Sequence, residues 1–216
     1  MKDRIDKVMH NLEKNNIKSF FVNSKDEVVP LVSELLNDGD TISVGGSISL
    51  FESGVLEHLR CDRYKFLDRY TDGLSQQDIR EIYLQSMDAD AYFCSSNAVT
   101  ESGELYNVDG NSNRICAIAY GPKSVIMVVG KNKIVKGIDE AVNRVKTITA
   151  PKIGKRLGNR TFCKEKGYCV SIEKGQADMT AGCSSPERTC CNFLVSGKQR
   201  IKNRIKVIIV NEDLGY

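Results

Sequence analysis

The sequence predicts an α/β fold: a mostly parallel sheet flanked by helices. Three features predict it. Short apolar runs alternate with segments of helical periodicity as far as Ser95. "TISVGGS" reads as a strand stopped by a glycine turn, the arrangement that precedes a ligand site in open sheets. "RIKVIIVNEDLGY" closes the chain on an apolar run that needs burial on both faces, so this strand should return to the main sheet.

The elements follow in order. Ile5, Val8, Met9 and Leu12 share one helical face, and "KSFFV" reads as a strand. "SKDEVVPLVSELLND" opens on a Ser24…Glu27 capping box and runs as a helix that tolerates Pro30 near its first turn. After the "TISVGG" strand, "SLFESGVLEHLR" is helical, "YKFLD" a strand, "LSQQDIREIYLQSMDA" a helix and "DAYFCSS" a strand. "GELYN", "RICAIAY" and "SVIMVVG" then read as strands joined by turns at Asp109-Gly110 and Gly121-Pro122, and "GIDEAVNRVKTI" as a helix ended by Pro151. Residues 1–150, completed by the strand in 201–216, form the expected α/β domain, and residues 151–200 a cysteine-bearing excursion without clear periodicity.

The 216 residues are 41% hydrophobic and 27% charged, enough to bury a sizeable core. No apolar run is long enough to span a bilayer, and the charged N-terminal helix lacks the core of a signal peptide, so a cytoplasmic location is expected. There, clustered cysteines serve metal or redox chemistry more often than disulfides. Residues 151–206 hold thirteen Lys/Arg against four Asp/Glu, a surplus of nine, which leaves the rest of the chain six negative. Few aromatics interleave with these basic residues, which disfavours nucleic acid as a partner.

Candidate site residues lie in loops at strand ends. Gly45 and Gly46 allow close backbone approach to a ligand, and Ser47 and Ser49 open a helix whose free N–H groups favour an anion. "SSNAVTESGELYNVDGNSNR" gathers Asn97, Glu101, Asn107, Asp109, Asn113 and Arg114. These groups suit a polar ligand bearing carboxylate or hydroxyl groups, or simply a hydrophilic hairpin. On the first reading Glu101 is the candidate catalytic base or nucleophile, and Arg114 grips a substrate carboxylate bidentately. The loops after "TISVGG" and "AYFCSS" should converge. "NEDLGY", with Glu212 and Asp213, is a third loop following a strand.

"GGSISLFESGV", "SSNAVTESGELYNVDGNSNRICAIAYGPKSVIMVVGKNKIV" and "VNEDLGY" resemble the LUD (lactate-utilisation, DUF162) family over nearly the full length. The resemblance implies a fold like that of the NagB/RpiA/CoA-transferase group. It also implies a small carboxylate or hydroxy-acid ligand and a role as an enzyme or redox-enzyme subunit, and it leaves room for a redox partner protein and an oligomer. A ligand-binding or accessory module is the alternative, and CoA- or folate-type transferase or ligase chemistry a further one. The flanking "VTESGEL" does not reproduce a CoA-transferase signature.

Members of this cysteine-bearing type carry a segment similar to "TFCKEKGYC" and "CSSPERTCCN". The matching positions are Cys163, Cys169, Cys183 and Cys190, with Cys191 as an alternative to Cys190 and a longer Cys169–Cys183 interval than the family's. A four-thiolate metal centre is the leading reading, ahead of redox-active or unpaired thiols. The irregular spacing favours a 4Fe-4S cluster over zinc, which prefers close Cys-x2-4-Cys knuckles. Cys94 and Cys116 read as small hydrophobes in strands, and His10 and His58 as ordinary helix residues.

Overall fold

The computed structural model describes residues 2–176 and 178–216. Its centre is a six-stranded sheet in which every neighbouring pair is parallel. The strands are β1 (Lys18–Val22), β2 (Thr41–Val44), β3 (Lys65–Leu67), β4 (Ala91–Cys94), β7 (Ser124–Gly130) and β10 (Ile205–Val210), in the spatial order β1-β10-β7-β4-β2-β3. The closing strand does return to the main sheet, and it lies between β1 and β7.

Alternation along β7 and β10 explains why both had to be apolar throughout. Ile126, Val128, Ile208 and Val210 pack on one face with α2 (Val28–Glu34), α3 (Ile48–Glu52) and α4 (Val55–His58). Val125, Met127, Val129, Val207 and Ile209 pack on the other, against α1 (Lys2–Lys14) and α6 (Asn113–Ala119). α1 presents Ile5, Val8 and Leu12 to that core, as their spacing predicts. α5 (Gln76–Gln85) starts at a Ser75/Asp78 capping box.

A second sheet of β5 (Ala98–Thr100), β6 (Leu105–Asp109), β8 (Ile134–Val135) and β9 (Asn192–Ser196) runs in the order β8-β5-β6-β9. Val99, Leu105 and Ile134 face the main core, whereas Ala98, Tyr106 and Val135 face α7 (Ile138–Arg144) and the helical turns that continue it. The segment 151–200 is tied into this body: β9 pairs antiparallel with β6 from Leu105↔Ser196 to Asp109↔Asn192.

Three local expectations need correction. "RICAIAY" is the helix α6, not a strand: Arg114, Ala117 and Ile118 are buried at helical spacing, and Cys116 is exposed. Pro151 does not end its helix. α7 passes through a π-helical turn (Val145–Thr149) into α8 (Ala150–Leu157), where Pro151 sits in the first turn. Proline brings no N–H to the helical ladder, and the wider π turn just before it makes room for its ring. Ser24 supplies no side-chain cap: a 3-10 turn (Lys25–Glu27) precedes α2 instead. Among the described residues, no helix is long and apolar enough to cross a membrane.

Candidate functional site

Because β2 and β4 are parallel neighbours, the loops after "TISVGG" and "AYFCSS" leave the sheet side by side at the strands' carboxyl ends. There they open a cavity of about 420 Å³, lined by Gly46 and Ser47 from one loop and by Ser95, Ser96 and Asn97 from the other. Asp109, Asn113 and Arg114 add the rim near β6, and α8 with the loop through Arg188 builds the facing wall. Tyr216, beyond β10, lines the same space. The 151–200 segment therefore supplies a wall of the cavity.

Arg114 is locked into the protein. Its Nε donates to Asp109 Oδ1 (2.9 Å), Nη1 to Ser95 O (2.9 Å) and Asn107 Oδ1 (2.6 Å), and Nη2 to Asn97 Oδ1 (2.8 Å) and Val108 O (2.9 Å). A guanidinium has five N–H donors, and all five are engaged. No donor is left over for the bidentate grip on a substrate carboxylate expected of it: Arg114 is the knot that holds the polar hairpin. Asn97, Asn107 and Asp109 serve it as acceptors, and Asp109 Oδ2 also accepts from the Ile115 N–H at 2.9 Å. Gly45 belongs to the same knot: a Cβ there would stand 2.8 Å from Tyr92 Oη and 3.2 Å from Arg114 Cδ. Its lack of a side chain makes room for Arg114 instead of a ligand.

Glu101 lies elsewhere. Its carboxylate bridges Arg4 Nε (2.8 Å) and Lys7 Nζ (2.9 Å), pinning α1 to the turn after β5, and it does not line the cavity. Hydrogen bonds from Lys7 and then Arg4 hold its carboxyl below the usual range. The catalytic role expected of it is not supported by this placement. Glu101→Gln should leave ligand binding at the cavity unchanged and cost a little stability, a cost that vanishes as pH falls through the depressed carboxyl pKa or as salt screens the pairs. Melting curves with and without salt, at neutral and acid pH, check this.

Besides Arg114, the cations that line the cavity among the described residues are Arg69, Lys133, Arg156 and Arg188, none singled out in the sequence. Among the described residues, Arg69 and Arg156 have no carboxylate within ion-pair distance; they rest on aromatic rings, Arg69 on Tyr70 and Tyr83, Arg156 on Tyr216. Ser47 Oγ, Arg69 Nε and Tyr216 Oη are buried without a hydrogen-bond partner in the described structure. Among the described residues, the two side-chain carboxylates that line the cavity are both committed, Asp109 to Arg114 and Glu187 to Arg160 at 2.6 Å. A basic surface with spare donors and engaged acceptors suits an anionic ligand.

Lys133 ends the 3-10 turn after β7 (Lys131–Lys133) and is 3% exposed. Its Nζ donates to Ser49 Oγ (2.8 Å) and Ser95 Oγ (3.0 Å). Burial, and then the charges of Arg144 and Arg114, push its amine down to about 7, against weaker opposing effects of Glu52 and Cys94.

A second cavity lies behind the first. It is small, about 20 Å³, and Cys163, Cys169, Cys183 and Cys190 all line it, among Tyr106, Val142 and Met179. Burial pushes the Cys163 and Cys190 thiols up, opposed at Cys190 by Arg188. Arg188 Nε donates to Cys190 Sγ at 3.3 Å, and Lys146 Nζ lies beneath the cluster, donating to Ser171 Oγ (2.8 Å), whose hydroxyl reaches Cys169 Sγ (3.4 Å). Cys191 points away and is exposed, its thiol donating to Arg188 O, so Cys190 and not Cys191 faces the cavity. Among the described residues, no three Cys, His, Asp or Glu side chains stand close enough to hold a single metal ion. Cys94 is buried in β4 as expected, with its thiol pushed up to about 12, whereas Cys116 is exposed on α6.

A parallel sheet with a polar cavity at its carboxyl edge and a cysteine-lined pocket beside it defines an α/β domain. The chain belongs to the LUD domain family, which matches residues 5–210 and confirms the resemblance. It is similar to the crystal structure of a DUF162 family protein from Deinococcus radiodurans at 14% identity and a TM-score of 0.55, covering 97% of this chain and 98% of that one. At that identity the likeness is one of fold. It also aligns with the eIF2B beta structure from Chaetomium thermophilum at 13% identity and a TM-score of 0.37, over 64% of this chain and 45% of that one. No curated protein matches the chain.

Proposed function

We propose that this LUD-domain chain binds a small carboxylate or hydroxy acid in the basic cavity and carries a cysteine-ligated metal centre beside it, as a subunit of a redox enzyme. The observation that carries the reading is Arg188, whose guanidinium lines the basic cavity and also donates to Cys190 Sγ. One residue thus touches both places, and a charge change at either is felt at the other.

Cys163, Cys169, Cys183 and Cys190 come from separate turns yet line one small pocket, with Lys146 and Arg188 as neighbouring cations to offset thiolate charge. The irregular spacing of these cysteines, without the close Cys-x2-4-Cys knuckles that zinc prefers, favours a polynuclear cluster over zinc. A 4Fe-4S cluster held by these four residues would supply one-electron transfer. The chain's own groups do the rest: Arg69 and Arg156 attract the acid's carboxylate, and the Arg114 knot keeps the hairpin in place.

The second reading, a non-catalytic binding module stapled by metal, is favoured by Asp109 and Glu187 both being tied up by arginines. CoA-transferase-type chemistry loses its carboxylate, since Glu101 lies outside the cavity. Anaerobically purified protein should be brown and contain about four irons and four sulfides per chain. One zinc without colour would support the module; eight titratable thiols and no metal would remove both metal readings.

A further inference from the structure

We infer that Lys133 is a nucleophilic amine that forms an imine with the carbonyl group of a 2-oxo acid held in the basic cavity. The inference rests on the reading of that cavity as a small-carboxylate site and assigns it a narrower ligand class.

Four observations carry it. Lys133 lines the cavity although only 3% of it is exposed, so its amine meets a ligand in a largely water-excluded place. Its hydrogen-bond partners are two neutral hydroxyls, Ser49 and Ser95, and among the described residues no carboxylate is within ion-pair distance of Nζ. An ammonium buried without a counter-charge is costly, and nearby Arg114 and Arg144 raise that cost. The group is therefore held near its neutral form at physiological pH, with a lone pair to donate, as in other desolvated lysine nucleophiles.

The step balances without an oxidant. The Nζ lone pair adds to the carbonyl carbon, and the carbonyl oxygen takes up the proton that nitrogen loses. The resulting hydroxyl then leaves with a second proton as water while C=N forms. The Ser49 and Ser95 hydroxyls, both on Nζ, are placed to pass those protons. Arg69 and Arg156 supply the charge that a carboxylate next to the carbonyl requires, and this selects a 2-oxo acid over a simple ketone.

Borohydride trapping with pyruvate as the probe tests the inference on the full chain. Reduction of the imine should add one ligand less one oxygen atom to the intact mass, and peptide mapping should place the adduct on Lys133. Acetate, whose carboxylate cannot form an imine, should compete with trapping, and Lys133→Met should abolish it. Calorimetry of pyruvate binding to the unmodified protein runs in parallel. Binding without an adduct, or an adduct on another lysine, would overturn the role of Lys133 while leaving the carboxylate site standing. Absence of pyruvate and acetate binding would overturn the carboxylate site, and the inference with it. Mapping on the unsubstituted protein keeps the test decisive should the variant fail to fold.

Discussion

Arg114→Lys should destabilise the protein by about 2–6 kcal/mol, since a buried acceptor left unpaired costs roughly 1–3 kcal/mol and at least two lose their donor. Arg114 is 8% exposed and spends all five donors on five different acceptors, arranged to suit a planar fork. An ammonium brings three donors from a single point. At least two acceptors among Asp109, Asn107, Asn97 and the Ser95 and Val108 carbonyls would be left dry. Urea denaturation measures the loss. Ligand affinity of the fraction that remains folded should change little, because no N–H of Arg114 is free for a ligand. A stable variant with weakened carboxylate binding would instead return Arg114 to the role its sequence context suggested.

Lys133→Met should act in the opposite direction and stabilise the fold near neutral pH. The folded amine is depressed to about 7 from an ordinary 10.5. Between those values the unfolded chain binds a proton that the folded chain does not, so the stability of the unsubstituted protein rises with pH through this window. Below about 7 the penalty of burying the charge is present in full. At about 1.4 kcal/mol per pH unit, a depression of this size corresponds to a few kcal/mol. Methionine fills the same channel without a charge, and both hydroxyls keep another acceptor: Ser49 Oγ donates to Leu214 O at 3.3 Å and Ser95 Oγ to Ser96 O at 3.4 Å. The melting advantage of the variant should be greatest at pH 6–7 and shrink toward pH 10. An advantage that does not vary with pH would show that packing, not charge, is responsible.

The parallel sheet was legible because strands buried on both faces must be continuously apolar, and β7 and β10 are. The helix α6 was not legible: seven residues make two turns, too few for a period to show, and its buried face starts with an arginine. The meeting of the two glycine- and serine-bearing loops followed from strand order, and the structure brings Gly46, Ser47 and Asn97 to one cavity. The sequence left that loop between a ligand site and a hydrophilic hairpin because residue type says what a group can bond, not whether its partners are already present. Asn, Asp and Arg within 18 residues can serve a ligand or satisfy one another, and here they satisfy one another. Arg69, Lys133, Arg156 and Arg188 were missed for the converse reason. They lie far apart in a chain rich in Lys and Arg, and only tertiary structure gathers them. Lys133 had one local signal, its place just beyond the carboxyl end of the buried strand β7.

The position of β10 has a consequence for how the protein comes into being. Among the described residues β1 has no neighbour in the sheet other than β10, and their register pairs Lys18 with Lys206, 188 positions apart. During synthesis the first strand therefore leaves the ribosome long before its partner exists, with both backbone edges bare and an apolar face to hide. Closing so long a loop makes the sheet slow to complete and exposes it to wrong pairings in the interval. β2, β3, β4 and β7 can assemble beforehand, but the nascent chain must keep the place between β7 and β1 open until the last strand arrives to occupy it.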